Sequence, residues 1–369
     1  MISGETATST QPQMAAGIYA KIRCFWGKEK KMEKFSFSKN ARLMGRFDCR
    51  EPEKPVAAWV NSAVFLTFEG EELWMRAEDS DGQDYVEIIL DGIARNWIGL
   101  EKGTHDYRIE ANVPEGIHTL EIHKKTELLM GRITFLDFYL PKGGRFLEPP
   151  RGNSLKLEYF GDSITNGCGI GHPHEAEHTP SLDNGYMSYA ALSARMLSAD
   201  YHTIAISGIG VLQDAMGNIN GLPVHFHGVQ GYGTPDWDFS QYIADGVIIN
   251  LGQNDYSTPI SDDRYVEEYV AFIEDILRQY PNAYVFCCVG TMNDNYLPSV
   301  QWVTEHFRNA GNEKVFLVDL GLILPEVEGW GSGAHPGYQT HYRMAQDLAA
   351  FISEKTGWPL RKRPGRTGR

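Results

Sequence analysis

The apolar residues of this chain change period partway along it. From residue 57 to 140 they fall in short runs, several alternating in twos, at 57–60, 62–68, 72–77, 85–90, 104–109, 118–123 and 132–140. Period-two alternation buries one face of a strand, and Val-, Phe- and Trp-rich runs favour the pleated backbone. Turn residues separate the runs at Glu69-Gly70, Asp79 to Gly82, Asp91-Gly92 and Glu115-Gly116. Short strands at this spacing predict a β-sandwich of jelly-roll type over residues 35–150. Pro141-Lys-Gly-Gly and Glu148-Pro-Pro-Arg-Gly follow and read as a linker, which places a domain boundary near residue 150.

After residue 155 strands alternate with helical segments. Apolar runs at 155–160, 201–206, 246–251, 283–289 and 314–320 predict strands. The runs at 246–251 and 283–289 are almost continuously apolar, the pattern of strands covered on both faces. Helical periodicity marks 186–197, 263–280, 302–310 and 340–355. Strand–helix alternation predicts a doubly wound parallel sheet over 151–360. Residues 1–34 read as a weakly patterned leader and 361–369 as a basic, solvated tail. No internal repeat is evident.

Composition narrows the function. The chain has 369 residues with 42% hydrophobic and 22% charged content, ordinary values for a globular protein. A net charge of −14 disfavours nucleic acid and anionic membranes, which need a basic surface. It is compatible with a neutral substrate such as a sugar, as is the 12% aromatic content. No run approaches the ~20 apolar residues that span a bilayer. Cys24, Cys49, Cys168, Cys287 and Cys288 show no disulfide framework. Lys21 and Arg23 interrupt the only stretch near the start that resembles a secretory core. These features together predict a cytoplasmic protein.

The chemistry begins at Leu155 to Gly169, where a strand runs into Gly161-Asp162-Ser163. Open α/β sheets place their sites at the carboxyl ends of the strands, so Ser163 is a nucleophile candidate. A serine nucleophile needs a base and donors for the oxyanion. Gly208 follows the strand at 201–206, Asn254 and Asp255 follow the strand at 246–251, and His335 precedes the last helix. Taken singly, each has a plainer reading as a turn, an N-cap or a loop. Their order along the chain makes coincidence the weaker explanation.

Gly161-Asp162-Ser163, Gly208, Gly252-x-Asn254-Asp255 and His335 resemble the four blocks of the SGNH, or GDSL-type, hydrolases. With the β-rich first domain, the Glu148-Pro-Pro-Arg linker and the segment around Trp237, the layout resembles carbohydrate esterase family two. That resemblance implies a jelly-roll followed by a hydrolase domain, acting on acetylated sugars. It implies Ser163 as nucleophile and His335 as base. The Ser163 N–H, the Gly208 N–H and the Asn254 amide would form the oxyanion hole, with no metal or organic cofactor. One departure stands out: most SGNH enzymes carry aspartate three residues before the histidine, where this chain has Ser332. A backbone carbonyl near Gly331 or Gly333, or a distant carboxylate such as Asp319, must then orient the imidazole. The resemblance favours the carbonyl, and hence a Ser–His dyad. Asp162 and Asp255 read as structural.

Other readings compete. His172, His174 and His178, with His225 and His227 later, suggest a metal, but no spacing matches a familiar zinc signature. Gly167-Cys-Gly169-Ile-Gly171 lacks the spacing of a nucleotide loop, and Cys168 belongs to no matched block. A jelly-roll can bind carbohydrate, so a lectin-like module with a degenerate hydrolase is a non-enzymatic alternative, and a general small-ester esterase is an enzymatic one. Trp237 and Trp330 are the candidate substrate-binding residues. The expected partner is an acetylated manno-, xylo- or gluco-oligosaccharide.

Overall fold

The computed structural model describes residues 34–171, 177–257 and 260–361. The leader up to residue 33 (with Cys24), the tail from 362, and His172 and His174 lie outside the described residues. The described residues from Phe35 onward form one compact unit.

Two antiparallel sheets make up the first part. One runs in the order Ala41–Met44, Ala63–Glu69, Ile117–Lys124, Tyr85–Leu90, Ile93–Gly99, with Arg145–Leu147 also paired to Ala63–Glu69. The other is ordered Phe47–Asp48, Val56–Ala57, Ile133–Tyr139, Glu72–Asp79, Gly103–Ala111. Inward residues such as Leu66, Phe68, Met75, Ile88, Leu120, Ile122, Phe135 and Phe138 form one buried core, as alternation requires of a sandwich. Ile93–Gly99 escapes the sequence reading because it is exposed almost throughout and carries no alternation. Arg145–Leu147 falls inside the stretch read as linker, and Trp59 and Val60 lie in a buried turn beyond a two-residue strand.

The second part is a parallel sheet in the order Asp200–Ala205, Lys156–Gly161, Gly246–Asn250, Tyr284–Thr291, Val315–Leu322. Alternate residues feed two cores. Phe160, Val247, Ile249, Val285 and Cys287 face the helices Asp262–Gln279 and Leu297–Asn309. Leu157, Tyr159, Ile248, Phe286 and Cys288 face Tyr189–Met196 and Tyr338–Thr356. Both faces are covered, which is why these strands read as apolar runs. The helix read at 302–310 starts earlier, at Leu297, because Pro298 is acceptable in a first turn. The run read as one helix at 186–197 is a 3-10 turn, Gly185–Met187, and a helix restarted at Tyr189.

The first strand of this sheet along the chain, Lys156–Gly161, lies between the second and third, Asp200–Ala205 and Gly246–Asn250. The chain therefore reverses its winding direction beside Lys156–Gly161, opening a crevice at the carboxyl ends of these strands. A buried ion pair ties the sandwich to this sheet: Arg46 and Glu158, both with fully buried side chains, are 3.0 Å apart. Arg46 also donates to the Phe226 carbonyl, and Tyr280 donates to Glu158 at 2.9 Å.

Candidate active site

Strand Lys156–Gly161 ends where Asp162 caps a one-turn helix, Ser163–Asn166, by accepting the Ile164 N–H at 2.9 Å. Gly161 is needed here, since a Cβ would fall 1.9 Å from Thr165 Oγ1. The tight strand-to-helix turn leaves Ser163 at the sheet's carboxyl edge, 8% exposed. Its Oγ lies 2.9 Å from His335 Nε2.

The loop that carries His335 passes through two left-handed residues, Gly333 (φ 61°) and Ala334 (φ 58°). This curl brings the Gly333 carbonyl to 2.9 Å from His335 Nδ1. A carbonyl only accepts, so Nδ1 carries the proton and the Nε2 lone pair faces the Ser163 hydroxyl. Burial holds the imidazole below the ordinary histidine range, with the Gly333 carbonyl partly offsetting it. The Asp319 carboxylate is exposed and accepts the Gly321 N–H at 2.8 Å. Ser332 is fully buried against Gly169, where a Cβ would fall 2.5 Å from Ser332 Oγ.

Gly208 follows strand Asp200–Ala205 with φ 79°, a conformation that glycine adopts without strain, and faces open space. Asn254 donates its amide to the Ile209 carbonyl at 2.9 Å and to Asp162 Oδ2 at 3.3 Å. One side chain thus spans the ends of three adjacent strands, bringing Ser163, Gly208 and Asn254 to one crevice. Burial pushes the Asp162 carboxyl up to about 7. Asp255 accepts the N–H groups of Val211, Leu212 and Gln213 at 2.7, 2.8 and 3.2 Å, fixing the loop beyond Gly208. Gly210 makes room for it, since a Cβ there would fall 2.2 Å from its carboxylate. Both aspartates are thus engaged with the backbone.

Trp330 is half-buried and lines a groove of about 270 Å³ with Ile170, Glu328, Gly337 and Tyr338, beside the His335 loop. The reading of Trp237 as a sugar platform is corrected. It is 8% exposed within the hydrophobic core, edge-on to His202 and under the Arg46 guanidinium. Sheet packing claims its faces.

Sequence reasoning missed Glu127. This carboxylate, 3% exposed, leaves the sandwich side of the molecule and accepts the Ser207 N–H at 2.8 Å and the Asn166 amide at 3.1 Å. It grips both the residue before Gly208 and the end of the Ser163 helix. Burial raises its pKa. The surrounding Lys124-Lys125-Thr126-Glu127 is a run of polar residues, yet all four are buried. Tyr338 was also missed; it carries no local motif.

This arrangement can carry acyl transfer: a hydroxyl beside an imidazole of fixed tautomer, with candidate oxyanion donors across the crevice. Fold and site together define the class of GDSL-like lipases and acylhydrolases, whose family model matches residues 159–343. The model for the N-terminal part of carbohydrate esterase 2 matches residues 43–150. The chain belongs to carbohydrate esterase family two, a family of carboxylic-ester hydrolases.

It is 36% identical to the cellulase/esterase CelE of Acetivibrio thermocellus over 325 residues, which cover 85% of this chain and 39% of that protein. The chain thus spans about two fifths of that relative's length. An acetylxylan esterase/glucomannan deacetylase of Cellvibrio japonicus is 24% identical, with 86% of this chain and 89% of that protein covered. A family two carbohydrate esterase from Clostridium thermocellum, solved in complex with cellohexaose, superposes with a TM-score of 0.83 at 34% identity, covering 86% of this chain and all of that one.

Proposed function

We propose that the protein is a carbohydrate O-acetyl esterase that works through a Ser163–His335 dyad. The observation that carries this reading is the pair of 2.9 Å contacts on His335, Nε2 to the Ser163 hydroxyl and Nδ1 to the Gly333 carbonyl. Ser163 Oγ attacks the acetyl carbonyl while Nε2 takes its proton. The Ser163 and Gly208 N–H groups and the Asn254 amide hold the oxyanion. The weak Asn254–Asp162 contact is the one that yields to it. His335 then protonates the departing sugar oxygen, and water, deprotonated by the same imidazole, releases acetate. Nothing in the sequence is called on beyond side chains and backbone.

The substrate in this reading is an acetylated manno-, xylo- or gluco-oligosaccharide. The relatives named for acetylxylan and glucomannan, and the cellohexaose complex of a similar structure, support that class. The groove lined by Trp330 and Tyr338 offers the surface for a ring. We keep the division into a sandwich at 35–150 and a hydrolase part at 151–360. Among the described residues no helix is long and apolar enough to cross a membrane. Cys49, Cys168, Cys287 and Cys288 are free thiols, which supports a reducing, cytoplasmic setting.

The test is acetate release from a panel of acetylated oligosaccharides by wild type and Ser163→Ala. The variant should lose at least ~10³-fold in kcat. Equal release by both proteins would overturn the mechanism.

A further inference from the structure

A second cluster of reactive side chains lies between the Ser163 helix and the helix Tyr189–Met196. Cys168 Sγ, His178 Nε2 and an Asp183 carboxylate oxygen all lie within 4.8 Å of one another. Sγ is 3.2 Å from Nε2, Nε2 is 2.7 Å from Asp183 Oδ1, and the thiol also reaches the Asp183 carboxylate. Thiol, imidazole and carboxylate converge on one point, so that a cation at the centre of the triangle would be bonded by all three.

The surroundings suit such an ion. Cys168 and Asp183 are 7% and 2% exposed, so two ligands are held by the fold. The His178 side chain keeps 35% of its surface open, which leaves a way in from solvent. Asp183 Oδ1 is fixed from behind by the Gly169 N–H at 3.1 Å. A ligating carboxylate held by a hydrogen bond of this kind keeps its aim. The sequence reading grouped His178 with His172 and His174, which lie outside the described residues. Cys168 and Asp183 are brought to His178 by the fold alone.

We propose that Cys168, His178 and Asp183 bind a divalent transition-metal ion of the zinc class, with its fourth position open to solvent. Thiolate, imidazole and carboxylate together select zinc or its congeners over magnesium and calcium, which prefer oxygen alone. The site shares no residue with the Ser163–His335 pair. The two are neighbours nonetheless: the Gly169 carbonyl accepts the Ser332 N–H at 3.0 Å, on the loop that carries His335.

The test uses the full chain, freed of any histidine tag and kept reduced, titrated with cobalt(II). Wild type should take up one ion with the near-ultraviolet thiolate-to-cobalt absorption band, and zinc should displace it. Cys168→Ser should abolish the band, and His178→Ala should weaken affinity roughly tenfold or more. Cys168 and Asp183 are interior, so His178→Ala, at a partly exposed position, is the variant that discriminates if the others fold poorly. Cobalt uptake with no thiolate band, or uptake unchanged in His178→Ala, would overturn the proposal. The readout is independent of ester hydrolysis, so its failure leaves the esterase reading standing.

Discussion

His335 is oriented by its own loop: the Gly333 carbonyl, two residues earlier, lies 2.9 Å from Nδ1. In a triad this place belongs to a carboxylate, which also stabilises the imidazolium. A neutral carbonyl fixes the tautomer without that charge.

Restoring the aspartate that most SGNH enzymes carry three residues before the histidine should therefore fail here. Ser332 faces Gly169 in a fully buried site, and among the described residues its hydroxyl has no hydrogen-bond partner. Ser332→Asp would bury an unpaired carboxylate and should cost several kcal/mol, on the order of 3–5, with no gain in kcat. Ser332→Ala should leave kcat within about twofold, since it removes a buried group that makes no bond. Thermal melts and kcat on p-nitrophenyl acetate check both. A faster Ser332→Asp enzyme would show that the loop can re-aim its side chain.

Acid should affect activity and stability in the same direction. Burial lowers the pKa of His335, which faces Ser163, the Gly333 carbonyl, His178 and Asp183. The base must be neutral, so the acid limb of kcat/KM should have its midpoint below the ordinary histidine value of about 6.5. Buried His123, His202 and His341 are lowered too, His341 to about 3. Below pH ~6.5 the unfolded chain binds protons that these folded imidazoles refuse. Stability is then lost as pH falls from about 6.5 towards the folded values and is unaffected by these groups above it. Urea melts across that window provide the check.

Glu127 should act through position, not charge. Gln offers the same carbonyl oxygen to Ser207 N–H and the Asn166 amide, so Glu127→Gln should retain most activity. Glu127→Ala leaves two donors unpaired, each costing about 1–3 kcal/mol, and should lower kcat by roughly tenfold or more with little change in KM. Equal losses in the two variants would show that the carboxylate charge itself matters.

Trp330 and Trp237 should separate cleanly. Trp330→Ala should raise KM for oligosaccharide and leave the melting temperature close to wild type. Trp237→Ala opens a cavity in the core and should cost about 3–5 kcal/mol. A large KM effect from Trp237→Ala at unchanged stability would return that residue to the binding surface.

Arg46 and Glu158 should show that the two sheet systems fold as one. Each is fully buried and partnered across the sandwich–sheet boundary. Arg46→Ala leaves a buried carboxylate uncompensated and should destabilise the chain by about 3–5 kcal/mol. A single, lowered urea transition is expected; two separate transitions would mean that the parts are independent.

Sequence by itself determined the layout. Alternating runs announced a sandwich and continuous apolar runs a parallel sheet, because burial on one face or two writes a period into the chain. It also placed Ser163, Gly208 and Asn254 each just past a strand and His335 just before the last helix, since turn residues mark where elements stop. Tertiary structure decided the rest. Whether Trp237 faces sugar or core depends on Arg46 and His202, from other elements. That Glu127 is buried is invisible in a run of polar residues, and the Gly333 carbonyl reaches Nδ1 only through two left-handed residues. Cys168, His178 and Asp183 meet only in the folded chain. Local pattern records what each residue prefers, while hydrogen bonds and packing between distant segments decide which preference prevails.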